Sequence, residues 1–229
     1  MKSPLRYPGG KSRAVKHILP HFPEDVTEVC SPFLGGGSIE LALAERGIQV
    51  YGYDTFEPLV WFWRALLENP QALAQEADSL RKYKDYYYGY RGLPKEDFNL
   101  IKEELRNEKE YSLQNAAKFY ALNRSSFSGA TLSGGWSKRA SYERFTDSSI
   151  TRVREFNQPK LYVSAQHFKH SIPAHPKTFL YLDPPYLLGK DKENLYGDAG
   201  NKHKGFDHAG LVNILKERDN WILSYNNCP

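Results

Sequence analysis

The sequence predicts an open α/β sheet interrupted by a helical insertion, and three observations carry that prediction. A strand–glycine turn–helix–strand unit occupies residues 27–54. Helical patterning with few strand signals then fills residues 56–157. Strand signals return at 161–165, 178–182 and 221–225.

The elements follow in chain order. Pro8-Gly9-Gly10 breaks regular structure, and a helix is expected from Lys11 to His21. Thr27 to Cys30 is short and β-branched, and leads into the turn Leu34-Gly35-Gly36-Gly37-Ser38. A helix is expected over Ser38 to Arg46, with Gly47 as its C-terminal cap. Ile48 to Tyr53 reads as the second strand and ends in Asp54. In the insertion, a charged helix is expected near Lys95 to Arg106, another over Ser112 to Leu122, then a Ser/Gly-rich loop from Asn123 to Ser137. Asp207 is placed to cap a helix over His208 to Arg218. The expected division is residues 1–60 and 158–229 for the α/β unit and 61–157 for the insertion.

Composition narrows the function classes. The 229 residues are 40% hydrophobic and 14% aromatic, enough to bury a real core. With 31 Lys plus Arg against 27 Asp plus Glu, the net charge of +4 permits nucleic-acid binding without demanding it. No apolar run approaches the ~20 residues that span a bilayer, and Met1-Lys2-Ser3-Pro4 lacks a signal-peptide core. No membrane role is expected. Two cysteines, Cys30 and Cys228, form neither a Cys-x-x-Cys pair nor a cluster with metal-ligand spacing, so no metal is expected and the expected compartment is the cytoplasm.

The chemistry concentrates in three places. Asp183-Pro184-Pro185-Tyr186 directly follows the apolar stretch Phe179 to Leu182, at the carboxyl end of a strand where open α/β sheets bind ligands. Two prolines remove two N–H donors and leave an acceptor-only array, the Asp183 carboxylate and the Pro184 carbonyl. Such an array suits an amino group that must donate both hydrogens, and Tyr186 offers a ring to stack on a planar base. The plain alternative is a strand ending in an ordinary Pro turn. Second, glycines after Pro32-Phe33 let a cofactor approach the backbone, and Asp54 can hold ribose hydroxyls. Glu40 stands where a dinucleotide fingerprint has its third glycine, which disfavours a phosphate cradle and allows an adenosyl group. Third, Lys11 at the end of Tyr7-Pro8-Gly9-Gly10 can hold a carboxylate, the alternative being a solvated loop.

Four blocks in one order, Tyr7 to Lys11, Pro32 to Ser38 with Asp54, Phe119 to Arg124 leading to Gly129, and Asp183 to Tyr186, make the chain resemble the Dam-type (alpha-group) family of DNA adenine-N6 methyltransferases over essentially its whole length. The resemblance implies a Rossmann-like methyltransferase sheet, with S-adenosylmethionine as cofactor and double-stranded DNA as partner. It implies methyl transfer to N6 of adenine by base flipping and direct in-line attack. Asp183, Pro184, Pro185 and Tyr186 are then the catalytic block. Tyr7, Gly10, Lys11, Phe33, Gly35, Gly37, Asp54, Phe168 and Asp183 are the cofactor set. Asn123, Arg124, Ser126 and Gly129 fall in the DNA-contacting stretch, where Arg124 is the candidate to read a guanine edge. Lys138 and Arg139, with Arg144, Arg152 and Arg154, are candidates for phosphates.

The resemblance also sets further expectations. The family sheet is completed by an antiparallel strand pair beyond the last residue here, so that pair is expected to be missing and the last strand exposed. The polar stretch Leu187 to Phe206, with Lys190, Lys192, Lys202 and Lys204, reads equally as a closure over DNA or as a surface loop. A monomer is expected, with a companion restriction endonuclease as an allowed partner. Three rivals stay open. One is the same fold acting on cytosine N4, an RNA adenine or a protein amide. The second is a nicotinamide-dependent oxidoreductase, against which the incomplete glycine fingerprint argues. The third is a non-catalytic DNA-binding module. Cytosine C5 chemistry needs a cysteine nucleophile, and neither cysteine lies in a Pro-Cys context.

Overall fold

Val29-Cys30 and Leu180-Tyr181-Leu182 are apolar without alternation, the pattern of strands covered on both faces. The computed structural model, which describes residues 1–83, 90–186 and 205–226, places them at the centre of a parallel sheet. Its strands are β1 (Glu28–Ser31), β2 (Gln49–Asp54), β5 (Leu161–Ala165), β6 (Phe179–Leu182) and β7 (Trp221–Leu223), in the order β5-β2-β1-β6-β7. Every pairing is parallel: Cys30 stands opposite Tyr51 on one side and Leu180 on the other. A separate two-residue hairpin, β3 (Lys82–Tyr83) with β4 (Arg91–Gly92), lies in the insertion and was not expected. This is the Rossmann-like architecture the sequence predicts.

The order positions the site. The chain runs outward from β1 through β2 to β5, then returns to lay β6 on the other side of β1. That reversal puts a crevice beyond the carboxyl ends of β1 and β6, where ligands of such sheets bind. The edge strand β7 leaves Trp221 and Leu223 more than a third exposed.

Helices cover both faces. On one, Cys30, Leu180 and Leu182 pack with Phe168 and Ile172 of α9 (Phe168–Ala174) and with Leu211 and Leu215 of α10 (His208–Lys216). The Asp207 side chain caps α10, accepting from Gly210 N–H at 2.8 Å, as expected. On the other face Val29 and Val50 meet α2 (Ser38–Glu45) and the insertion. The insertion comprises α3 (Glu57–Glu68), α4 (Pro70–Ser79), α5 (Lys95–Asn107), α6 (Leu113–Ser125), α7 (Lys138–Arg144) and α8 (Asp147–Arg154). Phe62 of α3 stacks on Tyr120 of α6 with centroids 5.3 Å apart, so one apolar core runs from the sheet into the insertion. The division expected at residue 61 falls inside α3, which packs on β2 and β5 as well as on α6.

Two expected elements differ. The N-terminal helix α1 spans only Val15–Ile18, followed by a 3₁₀ turn Leu19–His21, because the Gly10 turn and Pro20 bound it at either end. Helix α6 runs on through Ser125, so Asn123 and Arg124 are helical, not loop. No helix among the described residues is long and apolar enough to cross a membrane. Cys30 is buried as a free thiol, and burial pushes it up to about 12. The stretch 187–204 with its lysines, the tyrosines 86–88 and Cys228 lie outside the described residues.

Candidate active site

Each wall of the crevice follows from local sequence. Where β1 ends, Pro32 to Gly37 turn the chain into α2, and Trp63 Nε1–H donates to the Gly35 carbonyl at 3.1 Å to brace the turn. The ring of Tyr7 lies directly on this loop. A Cβ at Gly36 would stand 2.7 Å from Tyr7 Cβ, and one at Gly35 3.0 Å from its Cε1, so bare glycine lets the N-terminal segment close over the loop. At the end of β2, Asp54 faces the same loop, its carboxylate accepting from Gly35 N–H at 3.0 Å and Phe56 N–H at 2.9 Å. Phe33, Phe168 and Phe206 gather at one end with centroids 5.3–5.7 Å apart, an apolar slot of aromatic edges and faces. His167, whose ring centroid lies 4.5 Å from that of Phe168, caps α9 by accepting from Lys169 N–H at its Nδ1.

The opposite wall is the corner after β6. Lys11 Nζ donates to both Asp183 oxygens, at 2.7 and 2.6 Å, and to the Gly9 carbonyl at 3.1 Å. Tyr186 O–H donates to Asp183 Oδ1 at 3.0 Å, and the Lys11 ammonium lies 5.0 Å from the Tyr186 ring centroid. Burial works against the charge on Lys11, but Asp183 and Tyr186 outweigh it and hold the ammonium above the ordinary lysine value. Burial lifts the Asp183 carboxyl, while Lys11 and Tyr186 act against that lift by favouring the anion. Lys11 was expected to hold a ligand carboxylate; among the described residues its ammonium is bonded to Asp183 and to the Gly9 carbonyl. An ionised carboxylate has roughly four acceptor positions. Among the described residues Lys11 and Tyr186 take three, leaving one on Oδ2.

All twelve residues expected in the catalytic and cofactor sets line this single cleft: Tyr7, Gly10, Lys11, Phe33, Gly35, Gly37, Asp54, Phe168, Asp183, Pro184, Pro185 and Tyr186. Two more that the sequence reading did not select line it too. Glu40 is 2% exposed and its Oε1 accepts from Ser31 O–H at 2.6 Å. Tyr181 is 1% exposed, and its hydroxyl has no hydrogen-bond partner among the described residues; Ser224 stands nearby without closing a bond of acceptable geometry. The signal for Glu40 was a charge inside Ile39-Glu40-Leu41-Ala42-Leu43, where an amphipathic helix places core residues.

The expected DNA set divides. Asn123 is fully buried: its Oδ1 accepts from Arg6 N–H at 3.0 Å and its Nδ2 donates to the carbonyls of Arg6 at 2.6 Å and Gly129 at 3.1 Å. Arg124 is 7% exposed and donates to the Arg144 carbonyl at 2.9 and 2.5 Å and to the Pro4 carbonyl at 3.4 Å. Ser126 is buried with its hydroxyl accepting from Thr131 N–H. Gly129 has φ +76°, and a Cβ there would fall 2.1 Å from the Arg6 carbonyl oxygen. Asn123, Arg124 and Gly129 therefore clip the N-terminal segment to the insertion while Ser126 braces the loop locally, which corrects their placement on the DNA-facing surface: the polar side chains among them are buried and bonded internally, so none faces out to read base edges. Lys138 and Arg139 are exposed on α7, with Arg139 paired to Glu143 at 2.8 Å. What the clipped loop does present is Phe127, 72% exposed, held between buried Ser126 and Gly129 beside Ser128, whose φ of +53° is left-handed. An aromatic set between serines in a polar loop was its signal.

Comparison with known proteins agrees with this geometry. The model of the D12 class N6 adenine-specific DNA methyltransferases matches residues 7–229. The chain is 22% identical over 220 residues to the type II methyltransferase M1.LlaDCHI of Lactococcus lactis subsp. cremoris, covering 91% of this chain and 73% of that one. It is 23% identical over 232 residues to the type II methyltransferase M.CviBI of Paramecium bursaria Chlorella virus NC1A, covering 97% and 82%.

Proposed function

Because the chain belongs to the D12 class family of N6 adenine-specific DNA methyltransferases, we propose that the Asp183 corner presents the amino group of a flipped adenine to a methyl donor held over the glycine loop. The observation that carries this is the single unfilled acceptor position on Asp183 Oδ2, in a carboxylate otherwise held by Lys11 and Tyr186. One adenine N6 hydrogen goes to that oxygen and the other to the Pro184 carbonyl. Both bonds draw the nitrogen lone pair outward, and no protein nucleophile is needed. Lys11 favours the Asp183 anion against the lift from burial and fixes its plane; the Tyr186 ring, braced by its own hydroxyl, stacks on the base. Holding both groups in line is the main source of rate.

The family implies S-adenosylmethionine, which when bound supplies an electrophilic methyl group. The residues present suit it. The Asp54 carboxylate lines the cleft beside the glycine loop, where a ribose would meet it, the ring cluster of Phe33, Phe168 and Phe206 offers an apolar wall to an adenine ring, and the orphaned Tyr181 hydroxyl awaits a polar partner. Residues 1–60 and 158–229 carry this chemistry on the proposed reading, and 61–157 recognise the target. Double-stranded DNA is the partner, one copy of the chain holds both subsites, and the cytoplasm is the compartment. The proposed setting is DNA modification beside a companion restriction endonuclease.

The test is nucleoside mass spectrometry of methyl-free DNA incubated with the chain and labelled S-adenosylmethionine. Label is expected in N6-methyladenine; label in N4-methylcytosine, or none with the cofactor bound, would overturn the adenine assignment.

Phe127 extends the proposal to the DNA. An exposed aromatic on a rigid loop tied to Arg6, one residue before the cleft-lining Tyr7, is placed to wedge into the gap a flipped base leaves. Aromatic–base stacking is worth roughly 1–3 kcal/mol. Phe127→Ala is therefore expected to weaken specific DNA binding about tenfold and to reduce the fluorescence of 2-aminopurine at the target position. An unchanged fluorescence signal would remove Phe127 from this role.

A further inference from the structure

A carboxylate shut away from water is stable only if neutral or matched by a positive charge. Glu40 is such a group. It lies in the first turn of α2, is 2% exposed, and has one hydrogen-bonding neighbour from another element, the Ser31 hydroxyl at 2.6 Å. Burial lifts its carboxyl to about 7, with the Ser31 hydroxyl pulling the other way. Among the described residues no basic side chain pairs with it; Lys11, the cation it senses, is bonded to Asp183. Yet Glu40 is part of the cleft wall.

A second, independent feature lies beside it. The Tyr181 hydroxyl is buried, lines the same cleft and has no hydrogen-bond partner among the described residues. It sits within electrostatic reach of both Glu40 and Asp183, and the cleft it lines is also lined by the glycine loop and the Asp183 corner. Leaving a polar atom buried and unpaired is costly, and an orphan of this kind at a cleft wall marks where a ligand atom belongs. An acceptor carboxylate and a hydroxyl side by side, without a free cation, select a ligand ammonium and give no hold on a ligand carboxylate.

We propose that Glu40 is the binding group for the α-ammonium of the methionyl arm of the cofactor, with the Tyr181 hydroxyl as its second partner. The inference rests on the methyltransferase reading above and deepens it by naming a specificity residue. It also reverses an expectation from the sequence, in which Lys11 was to anchor this arm through its carboxylate. The arm is held by its amine end, which leaves Lys11 free to organise Asp183.

The test is calorimetric binding to the full chain, with no turnover involved. Three probes separate the contributions. S-Adenosylhomocysteine has the whole arm, its desamino analogue keeps the carboxylate but lacks the amine, and 5′-methylthioadenosine lacks the arm. The chain is expected to bind S-adenosylhomocysteine about 10- to 100-fold more tightly than the desamino analogue, the range for a charge-assisted hydrogen bond. This comparison needs no variant. Glu40→Gln is expected to abolish that preference while leaving 5′-methylthioadenosine affinity within about twofold. Equal binding of the first two probes by the unaltered chain would overturn the inference. So would a Glu40→Gln variant that loses affinity for all three alike, since Glu40 would then be only a brace for Ser31. Failure of the unaltered chain to bind any of the three would instead remove the methyltransferase reading beneath it.

Discussion

Asp183→Ala is expected to lower the turnover number for methyl transfer by more than about 100-fold, while the dissociation constant for DNA moves by less than about threefold. The size follows from how full the carboxylate already is. Lys11 and Tyr186 hold Asp183 through three contacts, and the position left over is the one the reacting amine needs. Removing an electrostatic partner that acts mainly in the transition state typically costs ~10²–10³ in rate, and 100-fold corresponds to about 2.7 kcal/mol. The substitution also strips Lys11 and Tyr186 of their common partner, so the stacking ring loses its brace. Asp183→Asn keeps the volume but turns a donor toward a donor, and is expected to fail nearly as badly. Steady-state kinetics beside equilibrium DNA binding checks both. Near-normal turnover in Asp183→Ala would end the role assigned to this corner, and a loss confined to DNA affinity would make it a binding contact only.

The second large effect is on stability. Asn123→Leu is expected to lower unfolding free energy by roughly 3–5 kcal/mol, because three backbone groups, the Arg6 N–H and the carbonyls of Arg6 and Gly129, lose their partner in a buried setting at about 1–3 kcal/mol each. For a chain of this size that is a melting temperature lower by roughly 10 °C. Differential scanning calorimetry reads it directly. An unchanged melting temperature with lost DNA binding would return Asn123 to the DNA surface where the sequence placed it.

That contrast shows what was legible in the chain. The sheet and its crevice were, because they rest on short-range signals: an apolar run such as Phe179 to Leu182 and the turn at Gly35 to Gly37 declare themselves within a few residues. The cleft set was legible for the same reason, since each member sits at the end of a strand or in a turn. What escaped needed distances across the chain. Asn123 and Arg124 are polar residues in a helix, which normally means surface, and only the approach of residues 4–6 makes that position interior. Lys11 was read as a ligand anchor because nothing local says that Asp183 comes within 2.7 Å of it. Tyr181 looked like an ordinary member of an apolar strand, and Glu40 was read only as the residue standing in for a fingerprint glycine. Their chemistry exists only where β1, α2 and β6 meet.

The pairing of Lys11 with Asp183 also has a consequence for the order in which the protein comes into being. The two residues are 172 positions apart. At roughly 5–20 residues per second, a ribosome needs about 10–35 s after making the first to make the second. Through that interval the glycine loop, α2 and much of the insertion can fold, and the N-terminal segment can dock through Tyr7 on the glycine loop and through the Asn123 clip, but Lys11 lacks its partner Asp183. The clip, 117 residues from Arg6, is complete well before the catalytic corner emerges. A nascent chain would thus acquire its scaffold first and its Lys11–Asp183 corner last, so the proposed methyl-accepting pocket does not assemble on an unfinished protein.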